Sequence, residues 1–457
     1  MSARGGAAVL AHDVGGATDL PVPLFAVLIG ATGITALTFA IVAFAWKQPR
    51  FDPARPGRVL PRWATDVVDS PGIRSFSAMA ALLFTALVAV SALVGPQDGE
   101  NPLRGVLYAL LWVGLVVISV AFGPVWRAIS PMRTLYRLIG AVHNSESSRT
   151  TRGLRYPRSW GFWPAAAGLF SVVWLMLASP NLGTLAAIKY WLLAYVVAMT
   201  VGATLFGQRW FTRADPFEIA SVVASRLSPF RRDVVSHRVI FGSPFDHLLS
   251  MPVRPGTLAV IAVLLGSIAF DSVSAMPLFE NFVYDHEAAV PLVSEVVGGA
   301  VLRTTGLSLC IVTVAGTFWA AARAAGGSDR QLRRRLPGQM AHSLIPIFIG
   351  YFLAHYLSYL VEEGHDTLIL LTDPLDRNWV VFGMTSADGN RWLSQNPAVL
   401  STIKISCVVA GHVVAVIAAH DSALRLLTVE RRVTGQLPLM LTMVGYAFAA
   451  LYLLFGS

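Results

Sequence analysis

Apolar and polar positions in this chain come in blocks rather than in alternation. Runs of predominantly apolar residues lie near 22–46, 74–95, 104–126, 161–180, 184–207, 255–276, 299–323, 338–361, 397–425 and 436–456, separated by short polar segments. About 20 apolar residues in an α-helix cross the ~30 Å hydrocarbon layer, and a helix satisfies its own backbone groups where no water can. The pattern therefore predicts an all-α, polytopic integral membrane protein of about ten transmembrane helices. Residues 1–21 read as an extracytoplasmic tail and 22–457 as a single helical membrane domain.

Charge gives the blocks a direction. Arg50, Arg55, Arg58 and Arg62 follow the first run, and Arg127, Arg133, Arg137, Arg149, Arg152, Arg155 and Arg158 follow the third. Arg209, Arg213, Arg226, Arg231 and Arg232 follow the fifth, Arg330 and Arg333 to Arg335 the seventh, and Arg431 with Arg432 the ninth. The alternate loops are neutral or acidic, carrying Glu280, Asp285, Glu287 and Glu295 in one case and Glu362, Glu363, Asp366, Asp373 and Asp376 in another. Basic loops stay in the cytoplasm. This alternation predicts a multi-pass protein of the plasma (inner) membrane with both termini extracytoplasmic.

Composition agrees. Charged residues make up only 13% of the chain, against roughly 25% in a soluble domain, and the mean hydropathy is +0.60. The net charge of +9 is almost all arginine in short loops, so it sets topology and argues for no nucleic-acid partner; the lipid bilayer is the partner it implies. Cys310 and Cys407 fall inside predicted spans and read as buried thiols.

Two consecutive runs break the apolar rule. AHSLIPIFIGYFLAHYLSYL carries His342 and His355, and AGHVVAVIAAHDSALRL carries His412, His420 and Asp421. Ionisable groups at bilayer depth cost roughly 2.5 kcal/mol or more and usually mark function. At 1.5 Å per residue, His342 and His420 fall about 10 and 13 Å to the cytoplasmic side of midplane, His412 near it, and His355 about 9 Å beyond it. Pro346 cannot donate to the carbonyl of His342, so a kink and a free acceptor are expected there. A divalent transition metal (zinc, copper or iron) held by His342, His355, His412, His420 and Asp421 is one expectation. A haem on His342 and His420, a proton relay, and a ladder of neutral, hydrogen-bonded histidines are the others.

A second group of candidate ligands lies in the acidic loops. His286 and Glu287 belong to Asp-His-Glu, and His365 and Asp366 to Glu-Glu-Gly-His-Asp. His12 follows Val-Leu-Ala, the kind of small-residue stretch that ends a signal peptide; cleavage after Ala11 would present its amine and imidazole together to copper. Lys189, Arg303 and Lys404, near the outer ends of their spans, face Asp271 as ion pairs or as a vestibule for a polar or anionic substrate. A short repeat links FGPVWRAISPMR (122–133) with FGQRWFTRADPFE (206–218), consistent with a duplicated two-helix unit over 74–127 and 161–210 or with convergent interfacial chemistry.

The tail HDVGGATDLPVP, SVAFGPVWRAISP, SRLSPFRR, GSIAFDS, AHSLIPIFIGYFLAHY, Asp373-Pro374-Leu375, FGM and AGHVVAVIAAHD resemble actinobacterial multi-pass membrane proteins of the fenitrothion hydrolase family. That resemblance covers nearly the whole chain. It implies hydrolysis of an ester or organophosphate bond at the membrane, alongside a possible partner membrane subunit, with His342, His355, His412 and His420 at matching positions. The chain departs from the family in its shortened signal region, and the Asp-His-Glu and Glu-Glu-Gly-His-Asp stretches have no counterpart there. Three functions follow as expectations: a metal-dependent hydrolase, a proton- or metal-coupled transporter, and an accessory protein that holds copper or haem. No Gly-x-Ser-x-Gly elbow and no nucleotide-binding motif occurs.

Overall fold

The computed structural model describes residues 20–55, 57–142, 154–233, 235–291, 293–377 and 390–456. His12 lies outside these residues. Helices α1 (Leu24–Ala45), α2 (Pro71–Val94) and α3 (Leu103–Phe122) lead to an amphipathic α4 (Pro131–Val142). There follow α5 (Trp163–Leu177), α6 (Leu185–Phe206), the short α7 (Pro216–Ala224), α8 (Thr257–Ser274) and α9 (Glu295–Ala325). The chain closes with α10 (Arg330–Met340), α11 (Ile345–Leu370), α12 (Pro397–Leu426) and α13 (Leu437–Phe455).

Among the described residues, nine helical runs are long and apolar enough to cross a membrane, the run Arg330–Leu370 counting as one; α5 is a shorter apolar helix. The protein is thus a polytopic helical membrane protein. Helix α5 spans 15 residues, about 22 Å at 1.5 Å per residue, and ends where Ser179 and Pro180 stop it.

Burial sorts the helices. Helix α8 runs through the middle with Val260, Ile261, Leu264 and Ile268 buried, and α11 buries most of its length. Helices α2 and α6 instead expose Phe76, Leu83 and Leu93, and Tyr190, Leu193 and Val197, as lipid-facing surfaces do. Helices α11 and α12 pack face to face through small residues. A Cβ added at Gly411 would sit 2.6 Å from the Pro346 carbonyl oxygen, and one at Gly350 would sit 3.0 Å from the Gly411 Cα. Close backbone approach at small residues is how membrane helices gain packing energy without a hydrophobic drive. It fixes the relative height of the two histidine-bearing helices.

The kink expected at Pro346 is instead a break. A 3₁₀ turn at Ala341–Leu344 separates α10 from α11, and Pro346 falls in the first turn of α11, where its missing N–H costs nothing. The His342 carbonyl, expected to be free, accepts from the Ile345 N–H.

Helix α3 also departs from regularity: Val106–Gly114 is π-helical. Nine residues of π-helix is long for a conformation that occurs mostly as single-turn bulges, frequently at functional sites.

The two Phe-Gly-x-x-Trp stretches fold alike. Each span ends at a glycine of positive φ, Gly123 (96°) and Gly207 (64°). A short helix follows (Trp126–Ile129 and Gln208–Ala214), then an extended Ser130 or Asp215, then proline at the start of the next helix. The copies dock on each other: Trp126 Nε1 donates to Asp215 Oδ2 at 2.8 Å, and Arg127 Nε to Glu218 Oε1 at 2.5 Å. At the same arginine-rich end, β1 (Arg58–Val59), β2 (Phe230–Arg232) and β3 (Val239–Phe241) form a small antiparallel sheet in the order β1-β3-β2.

Asp215 is buried and caps α7 through the Phe217 and Glu218 N–H groups. Burial, reinforced by the nearby Glu218 carboxylate, pushes its carboxyl up to about 6 despite the Trp126 hydrogen bond. A raised carboxyl pKa favours the folded state fully below the unfolded value and loses that advantage as pH rises through 6. Between pH 4 and 6 the wild type should therefore lose on the order of 3 kcal/mol that Asp215→Asn, which still caps the helix, does not lose. Parallel thermal melts of the two proteins across that window measure the difference; coincident pH profiles would refute it.

Candidate functional site

Two polar networks interrupt the apolar interior, one at each end of the span bundle. Towards the acidic end, α8 contributes Asp271 and Ser272, and α11 contributes Tyr351, His355 and Tyr356. Residues 351 and 355 lie one helical turn apart, so their side chains reach α8 together. His355 Nε2 donates to Asp271 Oδ2 at 3.0 Å, and the Tyr356 hydroxyl donates to the same oxygen at 2.5 Å. His355 Nδ1 lies 3.4 Å from Ser272 Oγ, which is 2.8 Å from the Tyr351 hydroxyl. Asp271 is 4% exposed, so its partners replace water almost completely. A buried carboxylate beside an imidazole forms a site where a proton can be held or passed on.

The network continues towards α3. Tyr359, one turn beyond His355 on α11, lies within electrostatic reach of Asp271, Glu363, Arg104 and Tyr108. The Trp112 ring packs at 6.3 Å from Phe352, whose ring stands 4.9 Å from Tyr356.

The second network closes the arginine-rich end. His342 Nδ1 donates to the Gln339 carbonyl at 2.8 Å, and its Nε2 meets Ser422 Oγ at 2.9 Å. His420 Nδ1 faces Gln436 Oε1 at 3.0 Å and its Nε2 faces the Trp46 carbonyl at 3.1 Å. Gln436 is held the right way round by donating its Nε2 to the Arg432 carbonyl. Both His420 contacts lead to carbonyl oxygens, so both ring nitrogens must donate for both to be hydrogen bonds. Asp421 Oδ1 accepts from the Arg50 and Phe51 N–H groups at 2.5 and 3.3 Å, and its Oδ2 from Arg425 at 2.6 Å. This network ties α1, α11, α12 and α13 together.

His412 stands between the two. It is fully buried, donates Nδ1 to the Val408 carbonyl at 2.8 Å, and has no hydrogen-bond partner on Nε2 among the described residues.

The expected metal site tests poorly on its donors. Both ring nitrogens of His342 and His355 are engaged by protein groups, both nitrogens of His420 lie against carbonyl oxygens, and Asp421 is saturated by backbone and Arg425. Of the four span histidines, His412 is the one with a ring nitrogen that meets no partner among the described residues, and among those residues no three His, Cys, Asp or Glu side chains gather to hold an ion. The same contacts put protein atoms where an iron would approach the ring nitrogens of His342 and His420. The donor set as folded does not fit either group.

The candidates expected in the acidic loops lie apart from these networks, and that loop placement is corrected for three of them: α11 runs on to Leu370 and carries His365 and Asp366 in its last turns, and His286 ends the helix Pro277–His286. His286 is exposed, donates Nδ1 to the Phe282 carbonyl at 2.9 Å and stacks on the Phe282 ring. Glu287 Oε2 and Arg303 Nη1 both lie close over Gly299. His365 Nδ1 accepts from the Asn390 N–H, and Asp366 pairs with Arg391 at 2.5 Å. Lys189 donates to Gln97 Oε1 and Lys404 is buried, while Asp271 takes His355 and Tyr356 as its partners.

Sequence reading named the four span histidines and Asp271, but not the tie between Asp271 and His355. It also passed over Ser272, Tyr356 and Gln436. The aromatic spacing in YFLAHYLSY was a usable signal: Tyr351, His355, Tyr356 and Tyr359 recur at helical intervals. Nothing in the local sequence marks Val106–Gly114 as π-helical.

Fold and networks together define a multi-pass helical membrane protein with carboxylate and imidazole groups hydrogen-bonded inside its spans. No family model, curated protein or solved structure matches the chain.

Proposed function

We propose that this protein is a proton-coupled transporter of the plasma membrane, oriented with its arginine-rich loops in the cytoplasm and both ends of the chain outside. The pairing of buried Asp271 with the partly buried His355 carries this reading. The heights of the other histidines support it. Gly350 and Gly411 pack against each other, which sets His412 near the level of Gly350. Counting 1.5 Å per residue, His412 lies about 15 Å from Ser422 and about 9 Å from His355 along the bundle. The histidines thus mark a line of about 24 Å through the interior. Their separations exceed a hydrogen bond, so transfer between them needs water or helix movement.

His412, with its free Nε2 at the middle of the line, is the station whose removal is most informative. His412→Ala proteoliposomes should lose acidification of a trapped pH dye while the protein keeps its melting temperature within a few degrees. Undiminished flux would rule out the relay.

One observation favours the hydrolase reading that the family resemblance implies. Ser272 Oγ, His355 and Asp271 Oδ2 lie in the order of nucleophile, base and orienting carboxylate. Covalent capture of Ser272 by a fluorophosphonate would favour that chemistry over transport.

A further inference from the structure

Tyr108 and Trp112 pose a problem that the proton line does not solve. Tyr108 is 0% and Trp112 3% exposed, yet neither the Tyr108 hydroxyl nor Trp112 Nε1 has a hydrogen-bond partner among the described residues. An unmade buried bond costs about 1–3 kcal/mol, and folded proteins rarely leave two such groups in one place. Here they stand four residues apart, within the π-helical Val106–Gly114 and on the side that packs against α11. Both are donors, and both lack an acceptor.

Their surroundings indicate what the acceptor is. Arg104, one turn earlier, sets a guanidinium within electrostatic reach of Tyr108 and Tyr359. Trp112, Phe352 and Tyr356 form a chain of ring contacts that ends on Asp271. Gly105 and Gly114 bracket the π-helical stretch, where a side chain would meet Thr367 at one end and come within 3.7 Å of Leu360 at the other. Gly105 keeps α3 close against α11 just before the unpaired donors, whereas the Leu360 contact at Gly114 is ordinary packing.

We infer that Tyr108 and Trp112 bind the oxyanion group, a carboxylate or phosphoryl oxygen, of a small organic anion between α3 and α11. This rests on the transport reading above, for which it supplies the cargo: an anion whose charge the proton at the Asp271–His355 pair offsets. Asp271 is already held by His355 and Tyr356, so it does not compete for the two free donors.

Calorimetric titration of detergent-purified protein tests the site directly, using benzoate and phenyl phosphate as oxyanion probes and benzylamine and benzyl alcohol as controls. Saturable binding of at least one oxyanion, absent for both controls and weakened about ten-fold or more in Tyr108→Phe and Trp112→Phe, is expected. The stronger of the two probes then tells carboxylate from phosphoryl. No saturable binding by either oxyanion, or unchanged affinity in both variants, would overturn the assignment. The proton reading fails separately: oxyanion binding in a wild type that moves no protons would keep the site and discard the coupling.

Discussion

Proteoliposomes carrying Asp271→Asn are expected to lose proton movement by about two orders of magnitude or more, the scale that a positioned proton-transfer group supplies, while the protein still purifies folded. Asparagine nearly matches aspartate in shape, so Oδ1 can still accept from the Tyr356 hydroxyl and from His355 Nε2, the two bonds the carboxylate now makes. What it cannot do is carry the negative charge that holds a proton on the pair. In a span interior that charge has no substitute from solvent, because Asp271 is 4% exposed. Transport would then stop without a packing defect. The matched variant is Tyr356→Phe, which removes one of the two donors and leaves the charge; it should slow flux much less. A dye assay across an imposed pH gradient measures both, with melting temperature as the control for folding. Equal flux in wild type and Asp271→Asn would end the proposal, since no other buried carboxylate in this half of the bundle is paired with an imidazole among the described residues.

Much of the fold could be read in advance because bilayer thickness dictates the length of every apolar run, and loop arginines dictate direction. The runs around 22–46, 184–207 and 299–323 fall on α1, α6 and α9 within a few residues. The site was legible only as a list of parts. His342, His355, His412 and His420 stand out because lipid-spanning sequence rarely contains them, but their partners are ordinary residues on distant helices or the backbone itself. Ser422, Gln436, the Trp46 carbonyl and Ser272 have no sequence signature. Nor does the chain spell out helix neighbours: Asp271 and His355 are 84 positions apart, and only packing of α8 on α11 brings them together. Pro346 shows a different limit. Its chemistry was read correctly, but a proline one residue into a helix and a proline in mid-helix look the same in a sequence. A break at Ala341–Leu344 removed the orphan carbonyl that a kink would have made.

Asp421→Ala is expected to cost about 2–4 kcal/mol in stability, because it removes one buried carboxylate that accepts from two backbone N–H groups and a guanidinium at once. The carboxylate is fully buried and takes the Arg50 and Phe51 N–H groups on one oxygen and Arg425 on the other. Those bonds fasten the segment after α1 to the end of α12. Asp421→Asn should recover only part of the loss, since its amide nitrogen would face donors on one side. Chemical unfolding in detergent, followed by tryptophan fluorescence, measures the difference. The same titration separates this structural role from the metal-ligand role that the sequence suggested. A clamp made of N–H groups and a guanidinium is indifferent to chelators, so wild-type stability should be unchanged by excess EDTA. If EDTA lowered the wild type to the level of Asp421→Ala and left the variant unmoved, Asp421 would be holding an ion and not the chain.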